Sequence, residues 1–263
     1  MVEKKILLIT GPELRHRYYS NNLNHHFHLA GIIVEGSNYP QPQAQSSEEK
    51  DAWDWFFFRR HKHETKVFKN SDKLSSKNTP QVSKLSHGEI NSRDSINTIK
   101  SIGPNLIALF GSSVLGSELL DLFPKRIFNL HVGLADRYRG SSCNFWPIYD
   151  RNLGDLGATI IRIDKGIDSG ETLAQEKINL EEKDDEQSLI EKTIILGTKL
   201  MIDTIHKWMD GALKPLATSN KGKLFMQKDF TPESILRVRK MVEGNEIQGM
   251  IKTIWVRRKR LIH

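Results

Sequence analysis

An asparagine and a histidine stand two positions apart near the middle of the chain, in the stretch Phe128-Asn129-Leu130-His131. We predict that this stretch is a β-strand. Alternate side chains of a strand point to the same face, so Asn129 and His131 should project side by side. An amide and a charged imidazole both donate hydrogen bonds, and such donors stabilise the oxyanion of acyl transfer. Imidazole also has a pKa that ordinarily lies near neutral pH.

The surroundings of this pair strengthen the prediction, because an Asn-x-His triplet by itself is more often structural than catalytic. The strand opens into a polar loop, residues 132–140, and a second polar loop, Asp164–Gly170, follows the predicted strand Thr159–Ile163. Ligands of open α/β sheets bind outside the carboxyl ends of the strands. We therefore expect the second loop, which carries Asp168, to border a binding site.

The start of the chain predicts the fold that would position these residues. The apolar run Ile6–Ile9 is typical of a buried parallel strand, and we expect a helix to about Leu23 and a strand over Leu29–Val34. Strand, helix and strand over about 30 residues form a parallel crossover unit. The turn at 11–16 lacks two of the three glycines of a dinucleotide fingerprint, which excludes a dehydrogenase site of that kind.

The rest of the chain continues this pattern after a polar interruption. Residues 37–93 are interpreted as an insertion that holds one helix, about 47–69, and a surface loop over Lys73–Gly88. Apolar runs then predict strands at Leu106–Phe110, Ile127–His131, Thr159–Ile163 and Thr172–Ile178, and helices at Val114–Leu122, 184–211 and from Thr231. We expect an α/β fold with an open Rossmann-like, mostly parallel sheet and helices on both faces. Residues 1–212 would form the catalytic domain, and residues 213–263 a short C-terminal α/β extension.

Composition limits the other function classes. The 263 residues carry a net charge of +7, a single cysteine (Cys143) and no apolar run of membrane-spanning length, which predicts a cytoplasmic protein without a disulfide or a cysteine-rich zinc site. The histidines of His61-Lys62-His63 lack the spacing of a helical zinc pair, so we predict no metal. The aromatic cluster at 53–58 is expected to be buried, and the basic run at 257–260 to be a solvated tail.

Three motifs in order resemble the folate-dependent formyltransferases, a family that includes methionyl-tRNA, glycinamide ribonucleotide and sugar N-formyltransferases. They are Asn-Leu-His at 129–131, Leu-Ala-Asp-Arg-Tyr-Arg-Gly at 134–140, and Asp-Lys-Gly-Ile-Asp-Ser-Gly at 164–170. The resemblance extends from about Pro104 to Ile178. It departs from the family at Asp136, where many relatives carry proline, and this change should alter the rigidity of the loop.

The resemblance implies the chemistry and the co-substrate. Asn129, His131 and Asp168 would be catalytic, moving a formyl group from N10-formyltetrahydrofolate to an amine without a metal. Asp168 would keep the imidazole charged or take the proton of the amine, directly or through water. The positions that match the folate site are Gly111, Leu115, Asp164, Lys165 and Ile167.

The amine is the least determined part of this interpretation. Segments at 11–19, 139–147 and 223–232 resemble the sugar N-formyltransferases, so we expect a nucleotide-linked amino sugar for bacterial surface polysaccharide, and candidate anion ligands are Arg15, Arg137 and Arg139. About fifty residues follow Gly211, too few for the C-terminal barrel of the tRNA enzyme. The tRNA and purine substrates, an inert nucleic-acid-binding module and a homodimer remain alternatives to test.

Overall fold

The structure is a computed structural model, and it describes residues 4–38, 40–71, 79–217 and 221–260. Its first elements are strand β1 (Ile6–Thr10), helix α1 (Leu14–His26) and strand β2 (Leu29–Glu35). β1 is buried along its whole length, as expected for a strand with neighbours on both edges and on both faces. The crossover unit predicted from the sequence is therefore confirmed.

Later elements follow the apolar pattern closely. The strands are β3 (Val82–Leu85), β4 (Leu106–Phe110), β5 (Ile127–His131), β6 (Tyr138–Gly140), β7 (Gly157–Arg162), β8 (Glu171–Lys177) and β9 (Lys223–Phe225). The helices are α2 (Ser47–Phe68), α3 (Arg93–Ile102), α4 (Ser117–Leu122), α5 (Trp146–Tyr149), α6 (Glu186–Met209), α7 (Pro232–Glu243) and α8 (Glu246–Arg260). Asp185 caps α6 and Thr231 caps α7, since each side chain accepts a hydrogen bond from a backbone N–H in the first turn.

In the described part of the chain, seven strands form one sheet in the order β3-β2-β1-β4-β5-β7-β8. The five strands from β3 to β5 are parallel, whereas β7 is antiparallel to β5 and β8 is antiparallel to β7. β6 and β9 pair separately as a small parallel sheet. The molecule therefore has the mostly parallel, Rossmann-like sheet that the sequence predicts.

Two apolar layers cover the two faces of the sheet. Side chains such as Leu8 and Leu130 belong to one layer with residues of α1, α2 and α6, whereas Ile9 belongs to the other layer with residues of α3 and α4. At the centre of α6, Gly197 lies against the Leu130 side chain. Because strand side chains alternate, Leu130 points toward α6 while Asn129 and His131 point to the opposite side.

Several parts of the secondary structure differ from the sequence prediction, and one of them is strand β6 at the end of the predicted loop 132–140. Residues 82–85 form the edge strand β3 rather than a loop, because an edge strand needs backbone pairing but little apolar burial, and Val82 is exposed. Helix α4 begins at Ser117 and not at Val114. A further helix, α8, follows α7 after Asn245, whose φ of 56° interrupts the helical path. Residues 73–78 of the predicted loop lie outside the described residues.

The aromatic cluster of α2 packs inside the protein. Phe56 is fully buried, and its ring contacts those of Phe145 and Phe230 at centroid distances of 5.8 and 5.9 Å. Phe58, by contrast, is 69% exposed. The expected burial is thus confirmed for Phe56 and is wrong for Phe58. None of the helices in the described ranges combines the length and the apolar character of a membrane span.

Candidate functional site

The side chains of Asn129, His131 and Asp168 meet at the carboxyl end of β5. Nδ1 of His131 lies 3.2 Å from Oδ2 of Asp168, and Nδ2 of Asn129 donates to Oδ1 of Asp168 at 3.4 Å. Only 5% of the His131 surface is exposed, whereas Asn129 is half-buried. The structure therefore brings together the three residues that the resemblance names, with the Asn129 amide as the more accessible donor.

Both ring nitrogens of His131 face hydrogen-bond acceptors. Opposite Asp168, Nε2 lies 2.8 Å from the backbone oxygen of Tyr138. A neutral imidazole carries one N–H, so only the imidazolium can donate to both acceptors. Burial by itself would lower the pKa of His131, but the Asp168 carboxylate, with a smaller contribution from Cys143, raises that pKa well above 6.5. Geometry and electrostatics agree that the ring is charged at neutral pH.

Asp168 is held as a carboxylate by several donors. The backbone N–H of Gly140 donates to Oδ2 at 2.9 Å, in addition to the contacts with His131 and Asn129. Burial would raise the pKa of Asp168, but the charge of His131, its hydrogen bond, the Gly140 N–H and Arg139 together lower the pKa below 3.8. The Asp168 backbone has a φ of 44°, a left-handed conformation that aims the side chain into the site.

The route by which Asp168 reaches His131 differs from the predicted one. Since β7 is antiparallel to β5, the carboxyl end of β7 at Arg162 pairs with Phe128, three residues before His131 along β5. Arg162 also pairs with Glu171, so the intervening loop closes a hairpin between β7 and β8. That loop folds back over the sheet toward His131. Asp168 thus lies beside His131, but the predicted reason, the carboxyl end of a parallel strand, is wrong.

The loop at 132–140 is fixed by polar side chains of β7 and β8. Thr159 Oγ1 donates to the Gly133 carbonyl at 2.7 Å and accepts from the Ala135 N–H at 3.1 Å. Gln175 Nε2 donates to Asp136 Oδ1 at 3.0 Å. These bonds hold the loop that carries the Tyr138 carbonyl, the hydrogen-bond partner of His131 Nε2. Asp136 therefore anchors the loop through a hydrogen bond, where a proline would stiffen its backbone.

Asn129, His131 and Asp168 are called the triad below. The predicted folate positions lie on the two loops that flank it. On the β4–α4 loop, Gly111 has a φ of 77° and Leu115 is buried in the core. On the β7–β8 loop, Asp164 Oδ1 accepts from the Gly166 N–H and from Ser169 Oγ, while Lys165 pairs with Asp121 at 3.1 Å. The side chain of Ile167 is partly exposed, at 38%.

The three predicted anion ligands have different surroundings. Arg15 Nη1 lies 2.8 Å from the buried carboxylate of Glu64. Arg139 Nε donates to the Gly222 carbonyl at 2.8 Å, and its Nη1 approaches the Ile167 carbonyl at 3.4 Å. Arg137 is the most exposed of the three, with a 3.8 Å contact to Asp136. Arg137 is therefore the arginine best placed to meet a ligand from solvent.

A second histidine–carboxylate pair lies at the amino end of α1, where Glu13 is the N-cap residue and His16 belongs to the first turn. His16 Nδ1 lies 2.6 Å from Glu13 Oε2, and the ring fits between Gly11 and Gly111. Burial lowers the pKa of His16, and Arg15 lowers it further, while Glu13 opposes the shift. Burial would raise the pKa of Glu13, but the hydrogen bond and charge of His16, with Arg15, lower it to about 2. Among the described residues, no three His, Cys, Asp or Glu side chains are grouped to hold a metal.

Sequence reasoning missed the groups that hold the triad in place. The Tyr138 carbonyl and the Gly140 N–H are backbone atoms, which leave no side-chain signal in a sequence. Thr159 did leave a signal, because it is the polar residue among apolar neighbours in Gly157–Arg162. Gly133 was also missed: a Cβ there would lie 2.6 Å from the Cys143 Cβ and 2.9 Å from His131 Nε2, so only glycine leaves room for the imidazole.

Comparisons with known proteins agree with this architecture. The chain is 32% identical over 122 residues to a methionyl-tRNA formyltransferase of Thermodesulfovibrio yellowstonii; the match covers 46% of this chain and 39% of that protein. The chain thus spans well under half the length of that curated relative.

Solved structures share the fold at low sequence identity. A phosphoribosylglycinamide formyltransferase of Anaplasma phagocytophilum superposes with a TM-score of 0.58 at 12% identity, covering 86% of this chain and 99% of that one. An N-formyltransferase of Helicobacter canadensis, solved with folinic acid and dTDP-3-aminofucose, gives 0.54 at 15%, covering 88% and 78%.

The family model for formyl transferases matches residues 7–205. This range runs from β1 into α6 and includes all three residues of the triad. Since the match covers well over half of the sequence, the chain belongs to the formyl transferase family.

Proposed function

We propose that this protein transfers a formyl group from N10-formyltetrahydrofolate to the amine of a nucleotide-linked amino sugar in the cytoplasm. The observation that carries the proposal is the contact of a buried, charged His131 with Asp168 beside the accessible amide of Asn129. Formyl transfer passes through a tetrahedral intermediate with a negative oxygen, and fixed donors next to a positive charge stabilise that oxygen.

The geometry assigns distinct roles to the three side chains. Asn129 Nδ2 makes a long bond to Asp168, and its second N–H is available to the oxyanion. His131 supplies positive charge, and its Nε2 must exchange the Tyr138 carbonyl for the substrate oxygen in order to donate directly. Asp168 has a lowered pKa and is therefore a weak base, so its main role is to keep His131 charged and oriented. After attack the ammonium nitrogen loses a proton through solvent water, and N10 of the folate takes one up as the C–N10 bond breaks, so that the intermediate collapses to the formamide and tetrahydrofolate leaves.

The flanking loops offer a suitable place for the folate. A pterin ring binds between apolar surface and backbone hydrogen-bonding groups, and Ile167 presents a partly exposed apolar side chain on one loop. On the opposite loop Gly111 adopts a backbone conformation that exposes peptide groups without a side chain. Leu115 acts from beneath, because it is buried in the core and supports the loop.

The choice of an amino sugar depends on two observations. The Helicobacter neighbour was solved with a nucleotide-linked amino sugar, although the shared identity is low. In addition, the ionised carboxylate of Glu13 occupies the amino end of α1. Helix amino ends at this edge of a sheet commonly bind phosphate, and a carboxylate there repels a small phosphate ester such as a ribonucleotide. Arg137 is the exposed arginine that we assign to a nucleotide phosphate.

The test is a substrate panel with N10-formyltetrahydrofolate as donor. Release of tetrahydrofolate would be followed with nucleotide-linked amino sugars, glycinamide ribonucleotide and methionyl-tRNA as acceptors. Asn129→Ala serves as the inactive control, and His25→Asn, on the exposed surface of α1, as the active one. We expect turnover with an amino sugar by the intact protein and by His25→Asn.

Each other outcome changes a different part of the proposal. Turnover with tRNA or the ribonucleotide would keep formyl transfer and overturn the substrate class. Folate binding without turnover would direct the search to free amino sugars. Absence of folate binding, together with salt-dependent binding of oligonucleotides, would support the inert nucleic-acid module instead.

A further inference from the structure

A buried glutamate lies where β2 ends, at the same edge of the sheet as the triad. Glu35 is 1% exposed, and its carboxylate accepts hydrogen bonds from two loops. Oε1 accepts from the Gly88 N–H at 2.8 Å and the Ile90 N–H at 3.4 Å. The Ser113 hydroxyl also donates to Oε1, at 2.9 Å, and the Ser113 N–H donates to Oε2 at 2.7 Å. A carboxylate only accepts, so every contact is matched.

A second side chain holds the same segment from the other end. Asn91 Nδ2 donates to the Val114 carbonyl at 2.9 Å, and Asn91 Oδ1 accepts from the Gly116 N–H at 2.6 Å. Asn91 follows the loop that Glu35 binds, and its own side chain is exposed. The amide therefore makes two bonds to backbone atoms of one short loop without being part of the core.

The segment held by these two side chains is residues 111–116, which we call the donor loop. It joins β4 to α4, and it has no regular secondary structure of its own. Gly111, at its start, is left-handed, and α4 begins only at Ser117. The donor loop thus depends on side chains distant in sequence, Glu35 and Asn91, for its shape.

We propose that Glu35 and Asn91 are positioning residues that hold the donor loop in the shape that binds the formyl donor. They therefore set the affinity for folate and leave the transfer step unchanged. This inference rests on the proposed function, because residues 111–116 contain the assigned folate positions Gly111 and Leu115. A loop that is ordered before binding loses less conformational entropy when the ligand arrives, so removal of its anchors weakens binding.

Glu35 and Asn91 also connect the segment around 37–93 to the donor loop. Glu35 precedes that segment and Asn91 lies near its end, so their bonds join both ends of the segment to the loop beside the triad. His131 and Asp168 have their own anchors at Tyr138 and Gly140. Loss of the donor-loop anchors should accordingly leave the triad geometry intact.

The experiment compares Glu35→Gln, Asn91→Ala and the matched control Ser92→Ala. Glutamine at 35 replaces one acceptor oxygen with a group that cannot accept, and alanine at 91 removes both bonds to the donor loop. Ser92 is adjacent to Asn91, but its hydroxyl caps α3 instead, so its loss costs stability without removing a donor-loop anchor. For each variant we would measure the KM of N10-formyltetrahydrofolate, the KM of the amine, kcat, and tetrahydrofolate binding by titration calorimetry.

We expect the donor KM and the tetrahydrofolate Kd to rise about tenfold in Glu35→Gln and Asn91→Ala. The amine KM and kcat should stay close to those of the intact protein, and Asn91→Asp, which keeps the Oδ1 acceptor, should recover part of the affinity. Ser92→Ala should unfold at a lower temperature with its donor KM unchanged. If Glu35→Gln does not fold, the comparison of Asn91→Ala with Asn91→Asp decides the question, because Asn91 is exposed and its replacement leaves the core intact.

Three results would overturn the inference, and they can be told apart. Unchanged donor affinity in Asn91→Ala, measured beside an active intact protein, would remove the positioning role and leave formyl transfer standing. The positioning role would also be removed if the donor KM and the amine KM rose, and kcat fell, by similar factors. That pattern would indicate general destabilisation. If the intact protein neither binds tetrahydrofolate nor turns over, the proposed function fails and the inference fails with it.

Discussion

Two buried histidines in this molecule each lie beside a carboxylate, yet their pKa values are shifted in opposite directions. His131 and His16 are both 5% exposed, and their Nδ1 atoms lie 3.2 Å from Asp168 and 2.6 Å from Glu13. The pKa of His131 is raised well above 6.5, whereas that of His16 is lowered. The shorter contact thus belongs to the histidine whose pKa is lowered.

The second ring nitrogen explains much of the difference. His131 Nε2 meets the Tyr138 carbonyl, so both nitrogens need a hydrogen and the ring must be charged. At His16, by contrast, Nδ1 accepts the backbone N–H of Glu13 at 3.3 Å and Nε2 faces Gly111, so the ring is not placed between two acceptors that would require a second hydrogen. Arg15 adds positive charge beside His16, which further disfavours the imidazolium. Burial acts against the charged form at both sites, and the remaining neighbours decide the outcome.

The largest expected effect is on turnover when each histidine is replaced by asparagine. His131→Asn removes the charged ring beside the reacting atoms, so kcat should fall on the order of 1,000-fold. His16→Asn removes a neutral ring packed on Phe110, so kcat should fall far less while stability drops by about 1–3 kcal/mol. Steady-state kinetics and thermal unfolding would measure both. Equal losses of kcat in the two variants would show that the charge difference has no catalytic meaning.

The next effect concerns the pH dependence of turnover. Without the carboxylate, in Asp168→Asn, burial dominates and the pKa of His131 should fall below its ordinary value. Turnover at neutral pH should then drop about 100-fold and recover partly toward acid pH. Glu13→Gln should leave the profile of the intact protein unchanged, because His16 is neutral before and after. Rate profiles and NMR titration of the imidazole signals would establish this; a neutral His131 ring at neutral pH in the intact protein would contradict it.

The same pKa shifts set the sign of the pH dependence of stability. Since the folded pKa of His131 is raised, its contribution is complete below pH 6.5 and is lost as pH rises through that folded pKa. The folded pKa of Asp168 is lowered, so its contribution is present above pH 3.8 and is lost as pH falls through the folded value. The pair therefore stabilises the protein throughout the neutral range.

A smaller effect is expected from adding one methyl group next to each ring. In Gly111→Ala the new Cβ would clash with His16 Nε2 in a backbone conformation unsuited to alanine, so stability should fall by about 2 kcal/mol. In Gly133→Ala the Cβ meets Cys143 and His131, so turnover should fall more than stability. Chemical denaturation and kinetics of both variants would show the contrast. Loss of turnover in proportion to stability in each would remove the distinction between the two rings.

Much of the framework follows from local patterns. β1, β4 and β5 are apolar runs with buried faces, and their predicted bounds agree with the structure to within one residue. The edge strand β3 was missed because half of its side chains contact solvent and leave no apolar run. The antiparallel direction of β7 was missed because a run of apolar residues is the same in either direction.

The sequence by itself determined that Asn129 and His131 share one face, since that follows from the alternation of side chains along a strand. The tertiary structure decided which histidine is charged, how Asp168 reaches it from a hairpin loop, and that Arg15 is paired with Glu64. A side chain's direction along a strand is a local property of the backbone. Its charge is a sum over neighbours, and the fold brings those neighbours from distant parts of the chain.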